Sequence, residues 1–456
     1  MDNVTPEEHL LILMTYSNLD NPEKKEAKQL VSNIDNWDEF WQLSYDNRVA
    51  PLVKSNLEAI DSFQALPEIV QQNFINRTKT VREANEGRLA VAGDFLKKFE
   101  EQNIPVIILK GANFAETIYN NPSYRRMNDI DILIRKEDLD KIYDVYEGLN
   151  FFCLSELFGR SPRKQEKISH HAPSFISRDM ACVIGTHWGL ITPKSPYKYD
   201  YDAIWSRTNQ FDFYGTPVLS MSPEDNLHHI CVHLPFYKAG LKEIADIYNI
   251  IRHYGDKIDW ELFLKTVADA KTEEPVFHAL SIADKICPSV DCSSIIKKLK
   301  KVCSLKSVKE SEKRIQHLDV VLRSRSIHMS RVEKAFNEMN TTEKAREKRQ
   351  AFGVMWKNLF LPPREDIVKM NAFKNPGPID MLFGFFYTPL RISQVFIHDL
   401  GAGIYVAVLL KSIYDVLTYS AKALVYGESD VIDIETFAGR IGVTMDDLQR
   451  LKDSQE

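Results

Sequence analysis

The sequence predicts an α/β (α+β) fold in which a mixed sheet is embedded between helical regions. Three observations carry this. Over the first hundred residues apolar side chains recur at helical spacing, from WDEFWQLSYDNRVAPLVKSNL through a long amphipathic stretch at 67–102. From Pro105 the period changes, and short apolar runs bounded by glycine- and proline-marked turns alternate with short helical segments. After 215 the helical spacing returns. The boundaries follow: an N-terminal helical region at 1–100, a sheet-bearing core at 101–215, a helical domain at 216–300, and a basic then apolar helical region at 301–456.

Each element has its own signal. The stripe Val70, Phe74, Leu89, Phe95 and Phe99 ends at EQNIP, where Pro105 stops the helix. VIILKG (106–111) reads as a buried strand ending on a glycine turn, and ANFAETIY as one or two helical turns. NNPSYRRMN is a turn-rich loop, DIDILI (129–134) the next strand, and KEDLDKIYDVYEGL the next helix. HAPSFIS and ACVIGTHWGLI flank RDM as a hairpin, which makes a sheet of about four or five strands. MSPEDNLHHICVHL then opens a helix, with Ser222 as N-cap, Pro223 first and Asp225 third. LKEIADIYNIIRHY and DWELFLKTVADA follow as amphipathic helices.

Composition narrows the class. The apolar fraction of 44% and charged fraction of 27% are those of an ordinary globular protein, and a net charge of −6 gives no global field for nucleic acid. MDNVTPEEHL lacks the basic and apolar regions of a signal peptide, and Cys153, Cys182, Cys231, Cys287, Cys292 and Cys303 form no CxxC pair. The expectation is a cytoplasmic protein with reduced thiols. The apolar stretch 401–425 is interrupted by Lys411 and Asp415, so it reads as a buried or partner-facing helix and not a span, with room for an oligomer through the C-terminal helices. The segment 294–350 holds 16 Lys/Arg against 7 Asp/Glu. Its interleaved acids fit a solvated helical face, the other reading being a surface for tRNA or another polyanion.

Asp129 and Asp131 stand one residue apart inside an apolar run, so on a strand both carboxylates share one face while the isoleucines take the other. Two carboxylates on one face repel unless a cation lies between them or water solvates both. One reading is therefore a divalent-metal site with hard oxygen ligands, and the other an edge strand with a solvated face. Lys110-Gly111 upstream stands at a strand-to-helix turn, where backbone amides and an ammonium suit a phosphate, although such turns are common. Arg125-Arg126 lies between the two, suited to phosphate oxygens or to solvating a loop.

Taken together, IPVIILKGANFAETIY, RRMNDIDILI, HHAPSF, THW and SPEDNLHHICVH…LKEIADIYNII resemble the bacterial uncharacterised nucleotidyltransferase family, of LKG…DID type, in the DNA polymerase beta-like superfamily. The resemblance runs over about 40–370. It implies a nucleotidyltransferase that moves an NMP from ATP or another nucleoside triphosphate to an acceptor (a protein, a tRNA end or a small molecule), releasing pyrophosphate. The 216–300 helical domain would complete the nucleotide cleft. Asp129 and Asp131 would hold Mg²⁺ or Mn²⁺ and serve catalysis, while Lys110, Gly111, Arg125 and Arg126 would bind the nucleotide. Similar enzymes carry a third carboxylate two residues before a His-Trp pair, where this chain has Gly185 before His187-Trp188. Asp179 is too far along the strand to replace it. His187, on the face of Gly185, is the auxiliary base to consider, and His171 a weaker one. The departure sustains a rival reading, a nucleotide- or partner-binding protein with impaired chemistry. His229 and His233 have metal-ligand spacing, but Ile230 replaces the glutamate of HExxH, which favours a packed helix.

Overall fold

The computed structural model describes residues 4–153, 169–193, 195–234, 240–315, 345–362 and 377–400, with isolated positions at 364, 367, 371, 409–410, 413–414, 416–417, 444 and 446. The chain forms two compact units, one made mainly of Met1–Pro235 with Ala239–Arg323 and the other mainly of Ser324–Met445.

In the first unit, Thr5, Asp20 and Asn36 cap helices α1 (Pro6–Leu13), α2 (Asn21–Val31) and α3 (Trp37–Asp46), each accepting from a backbone N–H of its own first turn. Helices α4 (Ala50–Ala59) and α5 (Glu68–Glu101) follow. The long helix serves two cores. Val70 and Phe74 pack with the N-terminal helices, whereas Leu89, Phe95 and Phe99 pack under the sheet. Helix α6 (Lys110–Thr117) follows the first strand and α7 (Leu139–Gly148) the second.

The sheet has seven strands: β1 (Ile107–Ile108), β2 (Ile130–Leu133), β3 (Phe152–Cys153), β4 (Phe175–Ile176), β5 (Val183–His187), β6 (Asn209–Phe213) and β7 (Thr216–Ser220), in the order β3-β4-β5-β2-β1-β7-β6. It is mixed, as expected: β2 lies antiparallel to β1 and parallel to β5, and β1 lies parallel to β7. The additional strands are the hairpin β6–β7, which straddles residue 215. Tyr214 and Gly215 form its two-residue turn, both with positive φ (51° and 87°), as the twist of a tight hairpin demands. Pro217 sits outside the register that pairs β7 with β1 at Ile107↔Leu219.

After α8 (Tyr201–Ser206) and the hairpin come α9 (Pro223–His233), α10 (Leu241–Tyr254), α11 (Trp260–Ala270), α12 (Glu273–Ile286), α13 (Ser293–Lys300) and α14 (Leu305–Ile315). Ser222 caps α9 with Pro223 first, as read from the sequence. All six cysteines are free thiols.

The second unit contains α15 (Ala345–Phe360) and α16 (Pro378–Leu400). Along α16, Ile379, Leu382, Phe383, Phe386 and Leu390 are exposed. Among the described residues no helix is long and apolar enough to cross a membrane. Most of 401–425, and 316–344 of the basic segment, lie outside the described residues.

Candidate active site

Strand β2 lies between β1 and β5, so the residues at its start lie beside the end of antiparallel β1 and the start of parallel β5. Asp131 pairs across the ladder with Gly185, and Leu133 with His187. The loop that delivers the aspartates is held from behind by α5. Asn85 Nδ2 donates to the carbonyls of Pro122 (2.6 Å) and Arg125 (3.0 Å), and Arg88 Nε donates to that of Asn128 (3.3 Å).

The cation that the paired aspartates call for is present as a side chain. Lys110 Nζ donates to Asp131 Oδ2 at 2.8 Å, and His187 Nε2 to Asp131 Oδ1 at 3.0 Å. Lys110 makes this reach with φ +48°, a left-handed backbone that costs a non-glycine residue about 1–2 kcal/mol. Burial alone would raise the Asp131 carboxyl, but the Lys110 charge and the His187 bond outweigh it and hold it well below the usual carboxylate range. Water reaches Asp129, yet crowding by protein and the Asp131 charge push its carboxyl up to about 6, against the pull of Lys110, Lys242 and His187. The two carboxylates thus sit in unequal surroundings, which favour the ionised form at Asp131 and the protonated form at Asp129.

Gly185 explains how Asp131 comes to lie there. A Cβ at 185 would overlap Asp131 Oδ1 and stand 3.2 Å from His187 Nε2. The space of the missing third carboxylate is therefore filled by Asp131 and His187. Asp179 is engaged elsewhere, accepting from Ser177 Oγ (2.6 Å) and the Ala181 amide (3.0 Å) in the β4–β5 turn.

Histidines surround this pair. The rings of His170, His171 and His187 lie 4.7–5.6 Å apart, and those of His229 and His233 stack at 5.5 Å. Burial and the neighbouring rings push His170 down to about 3, and burial pushes His229 well below its usual value. The Lys110 charge brings His233, which is exposed at the end of α9, down to about 3. The surroundings of His170, His229 and His233 thus favour the neutral imidazole, and α9 buries His228 and His229 against the fold.

The remaining expected ligands separate. Gly111 permits a close approach: a Cβ there would lie 2.6 Å from Arg125 NH1. Arg125 itself is buried and turned away from solvent. Its Nε and NH2 donate to Asp246 on α10 (NH2–Oδ2 2.6 Å), and NH1 donates to the Arg126 carbonyl (2.8 Å). That geometry makes Arg125 a clamp between the core and the helical domain and lends no support to a phosphate contact. Arg126 is buried beside it. Sequence reading missed Asp246, to which Tyr119 also donates (3.0 Å), and Lys242 one turn before it. Both lie in the quoted LKEIADIYNII, where Asp246 set among the apolar residues Ile244, Ala245 and Ile247 was the available signal.

The hard oxygens of Asp129 and Asp131 suit a divalent cation completed by phosphate oxygens. Among the described residues no three His, Cys, Asp or Glu side chains gather to hold a metal by themselves.

Residues 33–288, more than half of the chain, match the family model described as uncharacterised nucleotidyltransferase. The chain belongs to that family. The match covers α3 to α12 and ends short of the 370 to which the sequence resemblance was read. Neither the curated proteins nor the solved structures give a match.

Proposed function

We propose that this nucleotidyltransferase-family chain binds a nucleoside triphosphate at Asp129, Asp131 and Lys110 and passes its NMP to an acceptor hydroxyl or similar nucleophile. The acceptor oxygen bonds to the α-phosphorus, the bond to the β-phosphate oxygen breaks, and pyrophosphate leaves. The observation that carries this reading is the bond from Lys110 to Asp131, one of two aspartates a residue apart at the start of β2, inside the family's matched region.

Asp129 and Asp131 would hold Mg²⁺ or Mn²⁺, which when bound neutralises phosphate charge and polarises the α-phosphate. Lys110 shares Asp131 and adds a point charge for the phosphates. His187, whose Nε2 donates to Asp131, would take the acceptor's proton on Nδ1, the ring nitrogen that this bond leaves unprotonated. The Arg125–Asp246 clamp fixes the helical domain against the core, so that the substrate groups are held in line. ATP is one donor to try first, and a protein, a tRNA or a small molecule remain the acceptor classes.

Gly185 favours a second reading, in which nucleotide is bound and transfer is slow or lost. The two are separated by incubating the chain with each α-labelled nucleoside triphosphate, Mg²⁺ and candidate acceptors. Transferred label with stoichiometric pyrophosphate, absent in Asp131→Ala, supports transfer. Nucleotide retained on the protein without transfer or pyrophosphate supports the binding reading.

A further inference from the structure

Helix α16, in the second unit, is apolar on the side it packs and on the side it leaves open. Gly384, Thr388 and Ile392, at spacings of four, form the packed side, where Thr388 Oγ1 accepts from Asn371 Nδ2 at 2.9 Å. The opposite side carries Ile379, Leu382, Phe383, Phe386, Tyr387 and Leu390, each 51–70% exposed and spaced so that they run as one stripe. Together these side chains expose on the order of 700 Å². The largest patch on an ordinary monomer is roughly 300–600 Å², whereas a standard interface buries about 800 Å² on each partner.

The charges beside the stripe say what covers it. No charged residue stands between Asp380 and Arg391. They are eleven residues apart, about three turns, so both lie on the same flank of the stripe, one near each end. Asp380 is exposed, with Oδ2 accepting the Gly377 amide at 3.0 Å, and the Arg391 guanidinium lies 5.4 Å from the centre of the Tyr387 ring. Two copies of α16 packed antiparallel about a twofold axis bring like flanks together in reversed order, so Asp380 of each copy meets Arg391 of the other. The same arrangement opposes the two helix dipoles and lays Phe383 and Phe386 across the axis from each other. A parallel pair brings unlike flanks together and gives no such match. A bilayer surface calls for basic flanks, and here one acid balances one base in a chain of net charge −6.

We infer that α16 is a homodimer interface, an antiparallel helix pair in which two copies of this chain bury the stripe and exchange Asp380–Arg391 ion pairs.

The test is sedimentation equilibrium of the full chain between about 1 and 100 µM, the range that resolves micromolar association. Wild type should sediment as a dimer. Phe386→Glu sets two carboxylates against each other near the axis and should lower dimer affinity by at least about a hundredfold. Phe386 is exposed in the single chain, so circular dichroism should be unchanged; Leu382→Glu replaces this variant if it is not. Asp380→Arg or Arg391→Asp alone puts like charges together and should weaken the dimer about tenfold, and the two combined should restore it. A wild type that is monomeric throughout, or a dimer that persists in Phe386→Glu, would overturn the interface. A combined charge reversal that recovers nothing would overturn the antiparallel pairing. A monomeric wild type that co-sediments with vesicles of phosphatidylcholine and phosphatidylglycerol would give the stripe to a bilayer instead.

Discussion

Replacing Asp246 by Asn is nearly isosteric and should nevertheless be among the most damaging single changes in the first unit. Arg125 and Asp246 are 10% and 2% exposed, and the guanidinium reaches both carboxylate oxygens. Burial works against the Arg125 charge, and Asp246 outweighs it, holding the guanidinium above its usual value. The amide keeps the shape and can still accept from Tyr119, but it leaves a charged guanidinium buried without a counter-ion. Removing one partner of a buried pair costs about 3–5 kcal/mol. Urea unfolding followed by tryptophan fluorescence would read this as a drop of that size at unchanged slope. Asp246→Asn combined with Arg125→Met should recover most of the loss, because no lone charge is then buried. A loss under about 1 kcal/mol in the single variant, or no recovery in the double, would refute the clamp.

Two further perturbations follow from the same geometry. Gly185→Ala should displace the Asp131 carboxylate from Lys110 or His187, costing about 1–3 kcal/mol by overpacking; equal melting curves for variant and wild type would contradict the occupied space described around Gly185. Gly185→Asp brings the same Cβ against Asp131 Oδ1 and should likewise displace that carboxylate, leaving transfer no higher than in wild type; a rise in transfer with a working acceptor would show that the site has room for a third carboxylate. His228, fully buried with Nε2 2.7 Å from Thr272 Oγ1, is pushed down to about 3, chiefly by burial. A depressed imidazole contributes stability that is complete above 6.5 and is lost as pH falls toward 3. At pH 5 the loss is about 2 kcal/mol. His228→Gln should flatten the stability profile between pH 6.5 and 5 by that amount, and an unchanged profile would place the acid sensitivity elsewhere.

The parts of the molecule legible in the sequence are those fixed locally. The stripe ending at Pro105 marks α5, Ser222-Pro223 marks the start of α9, and the alternation around Asp129 and Asp131 marks β2. The hairpin β6–β7 was missed although Phe211 and Phe213 alternate with polar residues before Tyr214-Gly215, because Pro217 reads as a strand breaker until the partner strand is known. At the site, Lys110 and His187 both reach Asp131, the one from the left-handed turn after β1 and the other along β5. What local pattern could not give was the use of each charge. Arg125 reads as a phosphate ligand or a loop-solvating residue until Asp246, 121 residues away, takes its guanidinium.

The central claim is that Asp129 and Asp131 exist to hold a nucleotide's phosphates through a divalent cation. Calorimetric titration of ATP, GTP, CTP and UTP, with and without Mg²⁺, into wild type and Asp131→Ala tests it most directly. The account predicts that at least one nucleotide binds wild type only with Mg²⁺ and fails to bind the variant. Binding that ignores both Mg²⁺ and Asp131, or no binding by any of the four, would contradict it.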